Sequence, residues 1–514
     1  MSEKPIKLTN ACSVMKKPVA VSLVLLVVLV LSVRLWLSFS VSGLSSDQSY
    51  WHVRNVESIL ATGKPLFEDS LAWNGRAVVF SPVFDYVIAL FALFMSVDVA
   101  AKFVPALFGA LLVVIVYLLA KRLTNHAGVS LFTALLSALV PIWLQETLNQ
   151  LTPITLVVPL MGFLLYALLR IHEPRWLMIY VVTLAFTAFV HPLSMLLAIT
   201  LAVYLVLARV EGIPVDRPLL EVSLFSIFFI LWVQFLMYKK LLFIHGLGII
   251  WQNIPSSLLA EIFSRVSVIG AIAQVGIVPL LTAAYLAYRY VFAVQYKELS
   301  LVMSFGLATG LLLSFRLLEP NQGLVLLSFA GIVLFAYAFA LFIPFLQRTR
   351  FSRMMPLIIL LWCVFALATK LWPASIAVSN TLEFFPPEEQ RAMEWISRVT
   401  TKDATVVALA EEGQRINAVA KRKSMIDSHF LGRVDASQRA EDLKRIFLSS
   451  IELEAVEIFD KYDADYLYVS SAVQQSFGKT VPRYMESGNC FNLVYDQSAK
   501  IYEKSPGCTV RVIT

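Results

Sequence analysis

Long uninterrupted runs of apolar residues constrain this chain more than any other feature. The first run extends over Val19–Leu44, and comparable runs recur as far as Trp372. A stretch of roughly 18 or more apolar residues is long enough to cross a lipid bilayer. Hydrophobic residues make up 58% of the chain and charged residues 15%, whereas soluble domains average about 25% charged. The sequence therefore predicts a polytopic α-helical membrane protein.

The apolar runs predict about eleven transmembrane helices in a membrane domain that covers residues 19–372. The first run has a basic flank of Lys4, Lys7, Lys16 and Lys17, but it is too long for the core of a signal peptide. We interpret it as a retained signal anchor. The predicted spans are Val19–Leu44, Val99–Ala120, Ala127–Leu144, Ile154–Leu169, Trp176–Val190, Pro192–Ala208, Leu219–Met237, Val268–Tyr288, Leu299–Phe315, Gly323–Leu346 and Pro356–Trp372.

The apolar segment Val79–Met95 is predicted to be an interfacial or re-entrant helix rather than a span. With this choice, the five most basic loops between spans all lie on the cytoplasmic side, as the positive-inside rule requires. The N-terminus (residues 1–18) is then cytoplasmic in a multi-pass protein of the cell membrane. The first external loop (residues 45–98) and a C-terminal domain (residues 373–514) face outward. Because the net charge of +7 comes largely from such loops, it does not indicate a nucleic-acid partner.

After residue 373 the pattern changes to that of a small extracytoplasmic α/β domain. Pro386, Pro387 and Glu388 predict the start of a helix, because proline and acidic residues favour the first helical turn. Cys490 and Cys508 either form a disulfide outside the cytoplasm or remain two buried thiols. The other predicted elements are strands at Thr405–Leu409 and Tyr466–Val469, a helix over Arg439–Tyr462, and a hairpin of Cys490–Tyr495 with Lys500–Glu503.

The first external loop collects polar and aromatic residues directly after a span. A carboxylate at this place, here Asp47, can act as a general base or bind a metal ion. The alternative is that Asp47 only caps the helix predicted over Asp47–Ala61, since aspartate is a preferred N-cap residue. The loop's other candidate functional residues are Tyr50, His52, Arg54, Asp69, Gly75 and the run Pro82-Val-Phe-Asp85-Tyr86.

This pattern resembles the first external loop of the archaeal oligosaccharyltransferase catalytic subunits, which are GT-C membrane glycosyltransferases. The family pattern begins Asp-x-x-Tyr-x-His-x-Arg and ends Pro-x-Phe-Asp-Tyr, and both parts occur here in that order. A looser similarity covers most of the chain. The resemblance implies a GT-C-like fold and a donor sugar linked to polyprenyl (dolichyl) phosphate. It also implies that Asp47 is catalytic and that Arg316 contacts the donor phosphate. We predict His191 and Arg54 as further contacts of that phosphate.

For two of these predicted phosphate contacts, the side chain could instead have a purely structural role. Arg316 lies near Glu319 and would otherwise form an interfacial ion pair. His191 precedes Pro192 at the end of a span, where a histidine is often structural. Arginine suits a phosphate because its guanidinium donates two parallel hydrogen bonds.

Other motifs of the family are missing from this chain. In the second external loop, Glu146 stands where arginine is expected, and Pro153 and Thr155 replace two acidic residues. The acceptor motif Trp-Trp-Asp-Tyr-Gly is replaced by Leu409–Gly413, and Trp251–Ser256 offers amides where an acidic motif is expected. Because Mg²⁺ or Mn²⁺ prefers several oxygen ligands, we expect no metal site, with Asp47 and Glu146 the only candidate ligands.

These features predict a GT-C glycosyltransferase with a reduced catalytic site. Asp47 would act as general base on an unknown acceptor, and Arg316 would hold the leaving phosphate. The alternative is a catalytically degenerate homologue that binds a lipid-linked glycan or partners an active subunit. A transporter fits less well, because the sequence shows no pair of similar halves with broken helices.

Overall fold

The computed structural model describes residues 17–292, 297–478, 481–487, 489–497 and 499–508. The basic flank residues Lys4, Lys7 and Lys16 lie outside these ranges, as does Cys12. Residues 293–296 of one predicted basic loop and residues 509–514 of the C-terminal domain also lie outside them. Within the described ranges, a bundle of apolar helices is followed by an α/β unit.

Sixteen helices make up the described part of the bundle. They are α1 (Lys17–Phe39), α2 (Asp47–Thr62), α3 (Val83–Ala92), α4 (Val97–Thr124), α5 (Ala127–Ala138), α6 (Pro141–Thr147), α7 (Ile154–Leu168), α8 (Pro174–Val190), α9 (Met195–Val210), α10 (Arg217–His245), α11 (Ser256–Ser264), α12 (Val268–Val275), α13 (Ile277–Phe292), α14 (Lys297–Ser314), α15 (Pro320–Gln347) and α16 (Met355–Leu382). A short hairpin of β1 (Glu68–Asp69) and β2 (Arg76–Ala77) lies between α2 and α3.

Six helices in the described ranges are long and apolar enough to cross a membrane, or eight if two bent pairs each count as one span. The bent pairs are α5 with α6, at 51°, and α12 with α13, at 93°. Shorter apolar helices of 10–17 residues lie at α3, α7, α8 and within α14. The apolar runs thus fold as a bundle of membrane-spanning candidates, although by length alone they give fewer spans than the sequence predicted.

The observed helices overlap every predicted span, but several bounds differ. The first helix ends at Phe39 rather than Leu44, because Lys102 of α4 donates to the carbonyls of Ser38 and Ser42 and closes the helix there. The predicted third span breaks before Pro141, whose ring removes a helical N–H. The predicted eighth span breaks at Gly276, where φ is +95° and glycine is the tolerant residue.

Helix α3 has a buried side and a strongly exposed side. Phe84, Asp85 and Ile88 are buried against the bundle, whereas Leu90 and Leu93 are 58% and 66% exposed. Exposed large apolar side chains on one face suit a helix that lies in the membrane interface. The interfacial placement of Val79–Met95 stays a prediction, and the exposed apolar face of this segment is consistent with it.

The membrane helix α16 continues through Pro373 to Leu382, beyond the boundary that the sequence placed at residue 373. The C-terminal unit then begins with α17, whose first residue, Pro387, follows the predicted start signal. The remaining elements are α17 (Pro387–Val399), β3 (Thr405–Val407), α18 (Gly413–Arg415), β4 (Lys423–Ser424), α19 (Ala436–Leu448), α20 (Glu452–Lys461), β5 (Tyr466–Val469), α21 (Ser471–Phe477), α22 (Tyr484–Ser487), β6 (Phe491–Asp496) and β7 (Lys500–Lys504).

A five-stranded sheet organises this unit, in the order β4-β3-β5-β7-β6. Strands β4, β3 and β5 are parallel, and β7 is antiparallel to both of its neighbours. The first predicted strand is shorter than expected, since β3 ends at Val407. The predicted helix over Arg439–Tyr462 is two helices, because the Ser449 hydroxyl accepts the N–H of Ile451 and favours a turn between them.

The two cysteines of this unit form a disulfide. Cys490, just before β6, is bonded to Cys508, just after β7, with their Cα atoms 5.5 Å apart. The structure therefore selects the bridge over two buried thiols. The remaining described cysteine, Cys363 in α16, is unpaired and half-buried.

Removing this bridge is expected to weaken the C-terminal unit. The two cysteines are 18 residues apart, and a loop of that length corresponds to about 3 kcal/mol of stabilisation in the chain-entropy model. Cys508→Ser should therefore lower the unfolding temperature of the full-length protein in detergent, and dithiothreitol should do the same to the unmodified protein. Cys363→Ser is the matched control. If neither the substitution nor the reductant changed the unfolding temperature, the assignment of the disulfide would be contradicted.

Candidate functional site

Helix α2 carries the first-loop motif and lies between the bundle and the C-terminal unit. Its N-cap is Ser46, in an extended conformation, and it ends at Gly63, whose φ of +75° supplies a left-handed C-terminal turn. Asp47 is the first helical residue and does not hold the N-cap position, so the capping alternative for its side chain does not apply. Most side chains from Asp47 to Val56 are buried.

The Asp47 carboxylate points into the C-terminal unit. Its Oδ1 atom accepts the backbone N–H of Arg415 at 2.9 Å. Its Oδ2 atom accepts the Ser428 hydroxyl at 3.0 Å and, more weakly, the N–H of Gln414 at 3.4 Å. The residue is 5% exposed. Burial raises the pKa of Asp47 from 3.8 to about 6, although Arg415 opposes this effect.

The Arg415 guanidinium is buried among acidic and aromatic side chains. Its guanidinium lies 3.4 Å from Glu412 and 3.6 Å from Glu389, and it stacks 4.7 Å from the ring centre of Phe385. Burial raises the pKa of Glu412 to about 7, with Arg415 opposing the shift. The arrangement places one cation among carboxylates behind Asp47, and it positions the backbone N–H that Asp47 accepts.

A second charge network joins the first loop to the C-terminal unit. Asp69 is fully buried and accepts from Arg54 at 2.6 Å and from Arg76 at 2.9 Å. Arg76 also reaches Asp427 at 2.6 Å, with both side chains 2% exposed. The indole of Trp51 lies within 6 Å of both guanidinium groups. The network satisfies two buried carboxylates with two arginines.

The hairpin explains why Asp69 and Arg76 meet. They are directly paired across β1 and β2, so their side chains lie on the same face. The connection uses Asn74 and Gly75 at φ of 59° and 58°, which these residue types tolerate. Beyond the hairpin, the N–H of Trp73 donates to the carbonyl of Ser424 at 3.0 Å, so the loop also joins the edge of the sheet.

His52 faces away from Asp47, toward α3. Its Nδ1 atom lies 2.6 Å from Asp85, and Phe84 packs edge-on against its ring. Asp85 is fully buried; its Oδ1 atom contacts His52, and its Oδ2 atom has no hydrogen-bond partner among the described residues. Tyr50, another motif residue, accepts the N–H of Leu44 with its hydroxyl at 3.0 Å and thereby shapes the turn after α1.

His191 is a neutral donor in this environment. Burial, with a smaller effect of His52, lowers the pKa of His191 to about 4. Its Nδ1 atom accepts the N–H of Leu193 at 3.1 Å, so the proton of the neutral ring is on Nε2. His191 can therefore donate a hydrogen bond to a phosphate, although it would not neutralise one.

Arg316 lies at the end of α14 with φ of 55° and an exposed side chain. Its guanidinium stacks 5.4 Å from the ring centre of Phe263, and its carbonyl accepts the indole N–H of Trp251 at 2.6 Å. No ion pair with Glu319 occurs among the described residues. The Arg316 side chain is thus exposed, so an anionic ligand can reach it.

The second external loop is held against the first by neutral groups. Asn149 donates to the Ser45 hydroxyl at 2.7 Å, and Ser49 accepts the N–H of Leu151 at 2.9 Å. Glu146 accepts from Asn321 at 2.8 Å. Since the oxygens of Asp47 already accept from N–H and O–H donors, its surroundings do not fit a divalent cation. Among the described residues, no three His, Cys, Asp or Glu side chains form a potential metal site.

The sequence reasoning missed the partners of the first-loop motif. Arg76 lies in the predicted loop but was given no role, and Asp427, Arg415 and Ser428 were not singled out. The polar residues Asp427, Ser428 and His429 were the available signal, since they come shortly after β4 in the C-terminal unit. What the sequence does not reveal is the pairing itself, because residues 76 and 427 are 351 positions apart.

Breaking the second charge network should destabilise the protein strongly. Arg76→Met leaves Asp427 buried without a cation, and removing one partner of a buried ion pair costs about 3–5 kcal/mol. The control is Arg398→Met, whose side chain is 78% exposed and should cost less than about 1 kcal/mol. Chemical unfolding of the full-length protein in detergent measures both. Equal losses would show that the network contributes little.

The pKa of Asp47 predicts a pH dependence of stability. Because this pKa in the folded protein, about 6, exceeds the ordinary value of 3.8, the folded state binds the proton more tightly. The free energy of unfolding should therefore fall as pH rises from about 4 to about 6. Asp47→Asn should reduce that slope in thermal unfolding at several pH values. Asp403→Asn, at a side chain that is 94% exposed, should leave the slope unchanged.

Comparison with known proteins shows similarity to membrane glycosyltransferases. The family model for dolichyl-phosphate-mannose-protein mannosyltransferases matches residues 80–238. Dolichyl-phosphooligosaccharide-protein glycotransferase 1 of Archaeoglobus fulgidus is 30% identical over 182 residues, which are 31% of this chain and 30% of the relative. The chain thus matches less than a third of that relative's length.

Two solved structures share the fold. The archaeal oligosaccharyltransferase AglB of Archaeoglobus fulgidus, in complex with an inhibitory peptide and a dolichol-phosphate, matches with a TM-score of 0.65 and 13% identity over 88% of this chain and 69% of that chain. ArnT from Cupriavidus metallidurans, bound to undecaprenyl phosphate, matches with a TM-score of 0.58 and 14% identity over 97% of this chain and all of ArnT. The chain is thus similar in sequence, over about a third of its length, to archaeal protein glycotransferases, and similar in fold to an oligosaccharyltransferase and to ArnT.

Proposed function

We propose that this protein is a membrane glycosyltransferase that transfers a sugar or glycan from a polyprenyl-phosphate-linked donor to an acceptor hydroxyl. The bilayer delivers the donor, and the reaction takes place on the outer face. Support comes from the similarity to the two Archaeoglobus and Cupriavidus proteins, whose structures contain dolichol-phosphate and undecaprenyl phosphate. No nucleic-acid partner is part of the proposal.

One contact supports the chemistry above all others, that between Asp47 and the Ser428 hydroxyl. A hydroxyl that donates to Oδ2 at 3.0 Å marks a place where an acceptor hydroxyl can donate to the same atom. The backbone N–H of Arg415 fixes the other oxygen, Oδ1, so the carboxylate is oriented. We propose that the acceptor hydroxyl takes the place of the Ser428 hydroxyl and that Asp47 acts as general base.

The proposed reaction is a single displacement. Asp47 takes the proton of the acceptor hydroxyl, the acceptor oxygen bonds to the anomeric carbon, and the bond from that carbon to the phosphate oxygen breaks. The electron pair of that bond leaves with the polyprenyl phosphate, and the anomeric centre inverts. A pKa of about 6 suits the base, because Asp47 is then ionised at neutral pH yet basic enough to accept the proton.

The leaving phosphate needs positive charge and hydrogen-bond donors. Arg316 is the proposed clamp, since its side chain is exposed. His191 is a proposed neutral donor through Nε2–H. Arg54 was predicted for the same role, but its guanidinium is held by Asp69 at 2.6 Å, so reaching a phosphate would require that pair to open.

The topology that carries this site stays part of the proposal. Counting the bent pairs as one span each and adding α7, α8 and α14 gives eleven spans, with α3 left in the interface. The N-terminus is then cytoplasmic and the C-terminal unit faces outward. The Cys490–Cys508 bridge supports that side, because disulfides persist in oxidising compartments.

A binding protein without catalysis is the second candidate. One observation favours it: the C-terminal unit covers Asp47, which is only 5% exposed. If that contact never opens, the protein would hold a lipid-linked glycan or assist an active subunit. The substitution Asp47→Asn distinguishes the enzyme from the binding protein.

Asp47→Asn should abolish sugar transfer in membranes supplied with dolichyl-phosphate-linked mannose and other polyprenyl-phosphate sugars. The amide cannot accept the proton, so a loss of about 10²–10⁴-fold is expected, while binding of the donor is retained. EDTA should have no effect on the unmodified protein. The readout is transfer of radiolabelled sugar to the endogenous acceptor fraction.

The matched control is Asp403→Asn, at a carboxylate whose side chain is 94% exposed. It should leave transfer unchanged. If the unmodified protein binds donor but transfers nothing, the binding candidate is correct. If Asp47→Asn transfers at the normal rate, Asp47 is not the base.

A further inference from the structure

Polar side chains cluster where the two bent helix pairs meet α15. Gln274 of α12 donates to the side-chain oxygen of Gln145 of α6 at 3.2 Å. The neighbouring residue in α6, Glu146, accepts from Asn321 of α15 at 2.8 Å. These four residues, with Gln322 and Glu319, form what we call the amide cluster. They come from three helices that pack on one another.

The cluster is open and incompletely paired. Gln145, Glu146, Gln274 and Asn321 are all half-buried, and Glu319 is exposed. The side-chain oxygen of Gln274 is buried and has no hydrogen-bond partner among the described residues. Buried polar atoms are normally paired, so an orphaned acceptor at an open cluster indicates a missing polar partner.

The position of the cluster within the bundle points to a ligand as well. Polar residues within membrane spans face the bundle interior or a watery cavity, and often mark the path of a substrate. Broken helices occur at membrane depth where they line such a cavity. Here Gln145 and Glu146 lie at the end of α6, where the second loop begins, and Gln274 lies in α12. These helices are the shorter members of the two bent pairs. Lys370 of α16 donates to the carbonyl of Val275 and so satisfies the backbone at the break.

The chemistry of the cluster matches a sugar. Each hydroxyl of a sugar both donates and accepts, and amides offer one donor group and one acceptor group in the same plane. The two carboxylates, Glu146 and Glu319, add acceptors, and no cation is paired with either among the described residues. Arg316 lies three positions before Glu319 in the chain, so a phosphate on Arg316 would bring its attached sugar to this side of the bundle.

We propose that the amide cluster binds the hydroxyl-rich sugar of the lipid-linked donor. This inference rests on the proposed function for the identity of the ligand, but it concerns binding rather than transfer. Gln145 and Gln274 contact the sugar hydroxyls directly, and Asn321 orients Glu146 toward them. The phosphate and the isoprenoid chain are bound elsewhere.

The test is equilibrium binding to the full-length protein in lipid nanodiscs. Two ligands are compared, dolichyl-phosphate mannose and dolichyl phosphate without a sugar. In the double variant Gln145→Leu/Gln274→Leu, affinity for the mannose-bearing lipid should fall about tenfold, as expected for losing hydrogen bonds to the ligand. Affinity for the bare lipid phosphate should not change. Free mannose oligosaccharides serve as a third ligand.

The control variant is Gln347→Leu, the same substitution at the exposed last residue of α15, on the opposite side of the bundle. It should bind both lipids normally. Equal weakening of both lipids in the double variant would show a structural role and overturn the proposal, as would no change for either. Sugar-dependent binding only of free oligosaccharide would also overturn it, because the ligand would then be an acceptor glycan.

Two further outcomes separate this inference from its neighbours. If the protein binds the mannose-bearing lipid more tightly than the bare lipid, loses that difference in the double variant and yet transfers nothing, the enzymatic proposal fails and the amide cluster stands. If Mg²⁺ binds the unmodified protein and Glu146→Gln removes that binding, the cluster is a cation site and the proposal is wrong.

Discussion

Every backbone N–H and C=O group inside a bilayer needs a partner within the protein, and this requirement shapes the whole chain. Where the apolar helices stop or bend, buried cations take up the exposed carbonyls. Lys102 serves the end of α1, Lys370 serves Val275 at the sharpest bend, and Arg34 donates to the carbonyl of Thr147 at the end of α6. The two loops that carry the candidate site follow the ends of α1 and α6. The position of the catalytic candidates is therefore a consequence of how the membrane helices terminate.

The second organising interaction is the docking of the C-terminal unit on the first loop. Asp47, Asp69 and Arg76 all find their partners across this interface, and the loop also adds a bridge to the edge of the sheet. The docking both orients Asp47 and restricts access to it. Such a site lowers the stability of the folded protein at neutral pH, because a buried carboxylate with a raised pKa is costly to ionise in the folded state. One oxygen of Asp47 already accepts a hydrogen bond from a hydroxyl of the protein itself, that of Ser428.

The sequence predicted the apolar helices, the special status of the first loop and the strand Tyr466–Val469, because each rests on local composition or periodicity. It overestimated helix lengths at Phe39 and at residue 449, where side-chain hydrogen bonds decide the ends. It could not predict that Arg54 pairs with Asp69 rather than facing a ligand, and it left open whether Cys490 pairs with Cys508. Such pairings depend on the three-dimensional approach of distant segments, which single-sequence patterns do not encode. The proposed contacts of Arg316 and His191 with the donor phosphate depend on such three-dimensional proximity as well.

The long separation between Arg76 and Asp427 bears on how the protein matures. During synthesis the first loop is made long before residue 427, since 351 positions lie between the two. Until residue 427 is made, Arg76 cannot form its ion pair with Asp427, and the first loop cannot dock on the C-terminal unit. An unfinished chain therefore leaves the polar residues of this loop uncovered. Completion of the C-terminal unit is therefore the step that covers the first loop and orients Asp47.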